Sequence, residues 1–313
     1  MAPRTLRAQQ VSDVVCEGLG EGPVWDPATG VVHLVDLEDG GLLTARLRAD
    51  PGAELPALDV TRRDLGGVVA CVRPRASGGL AVATERGFTL LDAPEDPADP
   101  AGGSARALPD LWDNPGPRQG WRFNDGGCDT RGRFWCGAMA WDAADGQGRM
   151  WRLDPDGSAV RVDSPVFADL SVSNGLSFTA DGTRAYFADS ATGRLDVLDL
   201  DADGEVTGRR VHARLPADIP VGDGLTLDAD GGVWVAVWNG GAVLRYDPAG
   251  RLDAVVEFPV TYVTCPAFVG PDLDVLVVTT SQRDLAPGEE PGAGAVFAVR
   301  PGVRGVPVLP FGG

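Results

Sequence analysis

Four short stretches of the sequence place an oxygen-bearing side chain at an equivalent position before a glycine turn. The stretches read LGEGPVWDPATG, WRFNDGGCDTRG, LSVSNGLSFTADG and IPVGDGLTLDADG. Their oxygen-bearing residues are, in order, Glu21, Asn124, Asn174 and Asp223. The turn glycine follows 9 residues later in the first stretch and 8 residues later in the other three. This spacing predicts that the four side chains occupy the same register in a repeated element.

The residue types in these stretches are those of a site for a hard cation. Glu21 and Asp223 supply carboxylates, and Asn174 supplies an amide oxygen. Oxygen ligands without His or Cys suit Ca²⁺, Mg²⁺ or Mn²⁺, and two carboxylates neutralise a divalent charge. Three protein ligands leave coordination positions open for water and substrate, which is typical of a catalytic site rather than a structural one.

Each of these residues, taken alone, has a simpler interpretation as part of a turn. Asn-Gly and Asp-Gly are common dipeptides of tight hairpin turns, so Asn174 or Asp223 by itself would carry little weight. Other Asp-Gly pairs follow acidic or polar runs and serve as an internal comparison, at Asp156, Asp181, Asp203 and Asp230. The hypothesis of a site therefore depends on the equivalence of the four positions.

The elements that position these residues repeat about every fifty residues. A turn is followed by an apolar strand, a short link and a second strand, and no sustained helical period is present. The six copies begin at Gly30, Gly78, Gly132, Gly182, Gly231 and Leu273. The intervals between them are 48, 54, 50, 49 and 42 residues. This is the period of a propeller blade, a four-stranded sheet whose two middle strands would form the visible pair.

The repeat predicts an all-β fold, a six-bladed β-propeller that forms one domain over residues 1–313. A β-sandwich or two separate β-domains would not repeat at a fixed interval along the whole chain. The innermost strand of each blade should line the central channel, where the four polar stretches are expected. Residues 1–13 should either pair with the last blade and close the ring or form a flexible segment. The Pro- and Asp-rich residues 93–105 are expected to connect two blades.

The composition excludes several kinds of chemistry. All 27 basic residues are arginine and only two histidines occur, which removes lysine-based mechanisms and a three-histidine zinc site. With 45 acidic residues the net charge is −18, so we expect neither nucleic-acid nor membrane partners. Five scattered cysteines and the lack of an apolar leader indicate a cytoplasmic protein with reduced thiols.

Taken together, the stretches resemble the family of gluconolactonase, senescence marker protein (regucalcin) and luciferin-regenerating enzyme. The matching stretches keep the family's order: EGPVWD at 21–26, RFNDG at 122–126, GRFWCGAM at 132–139, SNGLSF at 173–178, GDGLTLDADGGVWVA at 222–236 and VTCPAFVG at 263–270. The resemblance implies a six-bladed propeller with one divalent metal ion at the channel mouth, bound by Glu21, Asn174 and Asp223. Ca²⁺ is the first expectation, with Zn²⁺, Mn²⁺, Mg²⁺ and Fe²⁺ as alternatives.

The resemblance also implies substrate-binding residues. Arg122 and Asn124 would hold hydroxyl or carbonyl groups of a ligand, and Asp125-Gly126-Gly127 would provide the turn that places them. Members such as regucalcin have a glutamate where this chain has Trp141-Asp142. Asp142 is expected to take that substrate-binding role with a shorter reach, unless Trp141 narrows the pocket instead.

Three hypotheses of function remain open from the sequence. The first is a metal-dependent sugar lactonase that hydrolyses an aldono-1,4- or 1,5-lactone, with Asp223 as a metal ligand, a general base or both. The second is a related hydrolase of a non-sugar lactone or phosphotriester, because Trp121, Trp141 and Trp238 lie near the expected mouth. The third is a non-enzymatic metal-binding propeller. The expected partner is a small sugar lactone, and the expected state is a monomer or weak homodimer.

Overall fold

The strands of this chain form six successive sheets around a central channel. A computed structural model describes residues 2–49, 52–93, 103–218 and 221–313. Within them the chain begins with β1 (Arg4–Arg7) and β2 (Gln9–Val14), and the six sheets follow in order. The prediction of an all-β, six-bladed propeller is confirmed. No helix in these ranges is long and apolar enough to cross a membrane.

Each of the first three blades is an antiparallel meander whose first strand lies innermost. Blade 1 contains β3 (Gly20–Asp26), β4 (Val31–Asp36), β5 (Gly41–Arg48) and β6 (Ala57–Asp64). Blade 2 contains β7 (Val69–Pro74), β8 (Leu80–Thr84), β9 (Phe88–Leu91) and β10 (Ala105–Ala107). Blade 3 contains β11 (Trp121–Cys128), β12 (Phe134–Ala140), β13 (Arg149–Leu153) and β14 (Ala159–Arg161). Most of the expected connection at 93–105, namely 94–102, lies outside the described residues.

The last three blades repeat this arrangement. Blade 4 contains β15 (Ser173–Phe178), β16 (Arg184–Asp189), β17 (Arg194–Leu200) and β18 (Val206–Arg214). Blade 5 contains β19 (Gly222–Leu227), β20 (Val233–Val237), β21 (Ala242–Tyr246) and β22 (Leu252–Glu257). Blade 6 contains β23 (Val263–Val269), β24 (Val275–Thr280) and β25 (Ala295–Val299). Two short 3₁₀ helices span Pro165–Phe167 and Ser190–Thr192. In every blade the two strands recognised from the repeat are the second and third.

The N-terminal strands close the ring. β2 pairs antiparallel with β25 and supplies the fourth strand of blade 6, and the backbone N–H of Val296 donates to Ser12 Oγ at 2.9 Å. β1 pairs in parallel with β22 and adds a fifth strand to blade 5. Of the two alternatives for the N-terminal residues, the structure shows pairing with the last blade. Closure thus rests on hydrogen bonds between strands far apart in sequence as well as on packing of blade faces.

All six innermost strands carry a β-bulge near their beginning, at the register of the polar residues. The pairing shifts at Glu21/Val24, Val69/Cys71, Phe123/Gly126, Ser173/Leu176, Gly222/Leu225 and Val263/Pro266. A bulge leaves residues without a cross-strand partner and turns their side chains to a new direction. The expectation of a turn at Asp125-Gly126-Gly127 is therefore wrong, because these residues lie inside β11. A Cβ on Gly126 would lie 2.1 Å from the carbonyl oxygen of Trp135, so only glycine fits there.

The glycines after Asn174 and Asp223 have a different role from those of the comparison Asp-Gly pairs. In the comparison pairs the glycines have positive φ angles of 68–88° and form turns, at Gly157, Gly182, Gly204 and Gly231. Gly175 and Gly224 instead lie in β15 and β19, against the next inner strand. A Cβ on Gly224 would lie 2.3 Å from Cys265 Sγ. These glycines are needed because neighbouring inner strands approach closely at the axis.

The C-terminal residues cross the end of the channel opposite to the polar positions. The backbone N–H of Phe311 donates to the carbonyl of Pro74 at the end of β7, at 2.8 Å. The N–H of Gly312 donates to Gly132 at 2.8 Å, and Phe311 is fully buried. Residues 306–309 line the channel at that end. Glu21, Asn174 and Asp223, by contrast, each stand second in their inner strand, so they share the other mouth.

Blades 3 and 5 contain a buried indole–carboxylate contact beside the inner strand. Trp135 Nε1–H donates to Asp129, and Trp234 Nε1–H donates to Asp228, each at 2.8 Å. His33 occupies the position in blade 1 that the two tryptophans occupy in blades 3 and 5. Its cross-strand partner is Val24, two residues before Asp26. The residue is 7% exposed, and its Nδ1 is 3.2 Å from the Thr44 hydroxyl. His33 is thus part of the packing of blade 1, away from the polar mouth.

We expect His33 to make the protein sensitive to acid. Burial lowers its pKa from 6.5 to about 4, although the charge of Asp26 opposes the shift. The unfolded chain binds a proton at His33 more readily than the folded chain does. The contribution of the neutral imidazole to the free energy of unfolding is therefore complete above pH 6.5 and is lost as the pH falls toward 4. Between pH 7 and 4.5 the wild type should lose about 2–3 kcal/mol more unfolding free energy than His33→Leu, measured by urea titration. Equal losses in both proteins would contradict the assignment.

Candidate active site

The open mouth of the channel contains a cavity of about 280 Å³ where the polar stretches converge. Its lining includes Glu21, Arg122, Asn124, Asn174 and Asp223, together with Trp141 and Trp238. All five polar residues lie at the beginning of inner strands from blades 1, 3, 4 and 5. The structure therefore brings together five of the six residues singled out from the sequence.

Two oxygen atoms in this cavity are buried without a hydrogen-bond partner among the described residues. They are Asn174 Oδ1 and Asp223 Oδ1. Glu21 accepts a hydrogen bond from the N–H of Gly22 at 3.0 Å and adds a second carboxylate. Buried polar atoms in folded proteins are nearly always paired, so unpaired oxygens beside buried carboxylates fit a hard cation. The residues present thus suit the divalent ion that the sequence predicts.

Burial raises the pKa of Glu21 and of Asp223 well above the usual range of a carboxyl group. The neighbouring charges of Asp223 and Asp125 raise the pKa of Glu21 further, and Asp125 does the same for Asp223. The guanidinium of Arg122 opposes both shifts. Carboxylates gathered in a site of low polarity repel one another, and a divalent cation would relieve that repulsion.

The donor set depends on an amide as well as on carboxylates. Among the described residues no group of three or more His, Cys, Asp or Glu side chains is arranged to hold a metal ion. Glu21 and Asp223 supply carboxylates that line the cavity, and Asn174 completes a set of three oxygen donors. A site with two carboxylates and an amide favours Ca²⁺ or Mg²⁺ over soft metals.

Asp125 and Arg73 form the floor beneath the cavity. Arg73 lies 3.8 Å from Asp125 Oδ1, and both side chains are almost completely buried. The backbone N–H of Gly126 donates to the same carboxylate at 2.7 Å. Burial raises the pKa of Asp125, while the charge of Arg73 and hydrogen bonds from the Gly126 N–H and the Cys71 thiol oppose the shift. Asp125 thus places a third buried carboxylate close to Glu21 and Asp223, and Arg73 compensates its charge.

Arg122 and Asn124 are fixed by each other and by the backbone. Arg122 donates to Asn124 Oδ1 at 2.6 Å, and Asn124 Nδ2 donates to the carbonyl of Ser173 at 2.9 Å. The guanidinium lies 5.3 Å from the ring centre of Trp141, and its Nε is buried without a partner in the described part of the chain. Burial lowers the pKa of Arg122 to about 10, so it remains a cation at neutral pH. Arg122 Nε–H is thus a free donor for a ligand.

Asp142 is not brought to the cavity. Its side chain is exposed, and its Oδ1 accepts a hydrogen bond from the N–H of Ala144 at 3.2 Å in the turn after β12. The preceding Trp141 lines the cavity, and its Nε1–H donates to Glu85 at 3.3 Å. Adjacent residues at this point of the chain face opposite ways, so Trp141 shapes the mouth while Asp142 caps a turn.

Two buried aspartates hold the loops that lead into the inner strands. Asp36, at the end of β4, accepts from the N–H of Leu19 at 3.1 Å, two residues before Glu21. Asp189, at the end of β16, accepts from the N–H of Val172 at 3.0 Å, two residues before Asn174. These positioning residues were not predicted, although both end a strand of the repeat, in HLVD and YFAD.

Loop residues at the mouth were also missed. Glu38 accepts from Arg118 at 2.8 Å and lies 3.1 Å from Arg283, which lines the cavity. Tyr262 packs on Trp238, which the sequence had placed near the mouth, with ring centres 4.6 Å apart. These residues come from loops that differ between blades, so the repeat carries no signal for them.

Fold and site together define a six-bladed β-propeller with oxygen donors and a guanidinium at one channel mouth. The chain belongs to the SMP-30/Gluconolactonase/LRE-like family, whose model matches residues 19–282. The family expected from the sequence motifs is therefore confirmed.

Similar proteins include named lactonases. The pentonolactonase XacC of Haloferax volcanii is 33% identical over 312 residues, which cover 96% of this chain and 97% of that protein. The 6-deoxy-6-sulfogluconolactonase of Pseudomonas putida is 33% identical over 304 residues, 92% of each chain. The crystal structure of regucalcin from Agrobacterium tumefaciens, described as a calcium-binding protein, is 30% identical with a TM-score of 0.83 over 99% of both chains.

Proposed function

We propose that this protein is a metal-dependent sugar lactonase that hydrolyses an aldono-1,4- or 1,5-lactone to the aldonic acid. Its family relatives include named lactonases, and the protein is accordingly a hydrolase of lactone esters. The observation that carries the metal dependence is the pair of buried oxygens, Asn174 Oδ1 and Asp223 Oδ1, that have no hydrogen-bond partner among the described residues and lie beside Glu21. A divalent ion held by these three residues supplies Lewis-acid polarisation of the lactone carbonyl.

The side chains of the cavity perform the remaining steps. Asp223, whose carboxylate lines the cavity, accepts a proton from the attacking water as the general base. Arg122 Nε–H donates to a hydroxyl or carbonyl oxygen of the lactone, and Asn124 keeps the guanidinium in place. A cavity of about 280 Å³ suits a monosaccharide-sized ligand.

Ca²⁺ is the first candidate for the ion. The donors are all oxygen atoms, and the similar regucalcin structure is described as a calcium-binding protein. Zn²⁺, Mn²⁺, Mg²⁺ and Fe²⁺ remain alternatives, because three oxygen ligands do not exclude them. Titration of the metal-free protein with each ion separately would rank them.

Removal of the metal should abolish lactone hydrolysis. We expect metal-stripped protein to lose at least about 100-fold in rate, and one ion to restore it, because the Lewis acid contributes several kcal/mol. The measurement is proton release from a panel of aldonolactones, with each ion added back singly. A protein that binds the ion but hydrolyses no lactone would contradict the proposal.

The aromatic residues at the mouth favour a second candidate, a hydrolase of non-sugar lactones or phosphotriesters. Trp141 and Trp238 give the cavity two aromatic walls, and Tyr262 supports one of them. An aliphatic lactone and an aryl phosphotriester in the same panel distinguish the two functions. A higher kcat/KM for either than for every aldonolactone would favour this second candidate.

A further inference from the structure

Ser190 contacts one proposed metal ligand, Asn174, and the backbone beside another, Asp223, from a 3₁₀ helix that joins β16 to β17 in blade 4. It is the first residue of Ser190–Thr192, which follows β16 directly. The Asp189 side chain caps this helix, accepting from the N–H of Ala191. Ser190 also lines the cavity. Its hydroxyl contacts Asn174 of blade 4 and the backbone of Gly222 in blade 5.

The single proton of the Ser190 hydroxyl decides how Asn174 is oriented. Ser190 Oγ lies 2.7 Å from the carbonyl oxygen of Gly222, which can only accept. The hydroxyl proton is therefore used there, and Ser190 Oγ can only accept from the amide that lies 3.0 Å away. That amide atom must be Nδ2, so Oδ1 points away from Ser190 and is the buried oxygen without a partner in the ranges that the structure describes.

We propose that Ser190 is a positioning residue that fixes the Asn174 amide with its oxygen, and not its nitrogen, toward the metal ion. The proposal rests on the proposed function for the ion itself, and nothing in the sequence motifs assigned Ser190 a role. An Asn side chain rotated by half a turn would present two N–H donors to a cation. Removing a group that orients a metal ligand in this way commonly lowers metal affinity by about 10–100-fold.

Asp223 offers a competing explanation for the orientation. A hydrogen bond from the Asn174 side chain lowers the pKa of Asp223, so this carboxylate also attracts the amide nitrogen. Asp223 is itself a proposed ligand, and its charge is shared with the ion once the ion binds. The two explanations differ in what they predict for a protein that lacks the Ser190 hydroxyl but keeps Asp223.

Ser281 provides a matched control at the same register of another blade. It follows β24 as Ser190 follows β16, and its hydroxyl donates to the carbonyl of Gly18 at 2.9 Å. Its other hydrogen bond comes from the backbone N–H of Arg283, so no proposed ligand depends on it. Ser281→Ala removes the same kind of hydroxyl-to-backbone bond between blades without freeing a side-chain amide.

The test is calorimetric titration of the metal-stripped full chain with Ca²⁺ alone. We expect Ser190→Ala to weaken Ca²⁺ binding by about 10–100-fold and Ser281→Ala to change it by no more than about 2-fold. Asn174→Asp supplies a carboxylate whose two oxygens are equivalent, so its rotation has no consequence. In the Asn174→Asp background, Ser190→Ala should therefore weaken binding by less than about 3-fold.

Three outcomes would overturn the role of Ser190. Unchanged affinity in Ser190→Ala would show that Asp223 orients the amide without it. A loss of equal size in the Asn174→Asp background would show a structural role only. Failure of the wild type to bind Ca²⁺ would refute both the role of Ser190 and a Ca²⁺-dependent lactonase activity. Ca²⁺ binding without any lactone hydrolysis would refute the proposed activity alone, because the titration does not depend on turnover.

Discussion

Asp223→Asn is expected to lower kcat/KM for lactone hydrolysis by roughly 10³-fold while the protein remains folded. The substitution keeps the shape of a residue that is 3% exposed and lies beside Gly224 at the axis. It removes both the negative charge that a divalent ion needs and the base that accepts a proton from water. General-base catalysis alone is worth about 10²–10⁴-fold, so the loss should be large even when metal is saturating.

Two measurements separate these contributions of Asp223. The Ca²⁺ affinity of Asp223→Asn gives the loss of the ligand charge, and kcat at saturating Ca²⁺ gives the loss of the base. Asp230→Asn is the matched control, because Asp230 is also followed by glycine but lies exposed in a turn. The control should keep wild-type kcat/KM. An Asp223→Asn protein with more than about a tenth of wild-type activity would exclude Asp223 as the general base.

The register of the repeat was sufficient to predict Glu21, Asn174 and Asp223 as one group. Blades share a fold, so equal spacing along the chain becomes equal height along the channel, and the cavity lining bears this out for their positions. The turn expected at Asp125-Gly126-Gly127 did not rest on this register, and it was wrong. A bulge inside an inner strand and a hairpin turn both use Asn, Asp and Gly, and the sequence motif alone does not distinguish them.

Residues outside the repeated register could not be predicted from spacing. Asp142 and Trp141 are adjacent, and only the backbone of the turn after β12 decides which of them faces the cavity. Glu38 and Arg283 meet from loops of blades 1 and 6, which are distant in sequence and have no counterpart in the other blades. Ser190 has a counterpart in Ser281, but its role depends on which atoms its hydroxyl touches.

Arg73→Met is expected to reduce the free energy of unfolding by about 3–5 kcal/mol, the usual cost of leaving one partner of a buried ion pair alone. Arg73 is 12% exposed and Asp125 is 8% exposed in their side chains, with 3.8 Å between the charged groups. Methionine fills similar space but leaves the carboxylate of Asp125 beside two further acidic side chains, Glu21 and Asp223. The measurement is urea unfolding of metal-free protein at pH 7.

A double-mutant cycle tests whether the loss comes from charge. Arg73 also donates to the carbonyls of Val72, at 2.7 Å, and Gly126, so part of the loss reflects those acceptors. Asp125→Asn keeps an oxygen for the N–H of Gly126 but removes the charge. If the ion pair dominates, Arg73→Met should cost at least about 1–2 kcal/mol less in the Asp125→Asn background. Equal costs in both backgrounds would mean that Arg73 stabilises the channel floor through its backbone contacts.

Ca²⁺ should raise the free energy of unfolding of Arg73→Met by more than that of the wild type. Without Arg73, only Arg122 opposes the charges of the three buried carboxylates, so a divalent ion at the mouth offsets more repulsion.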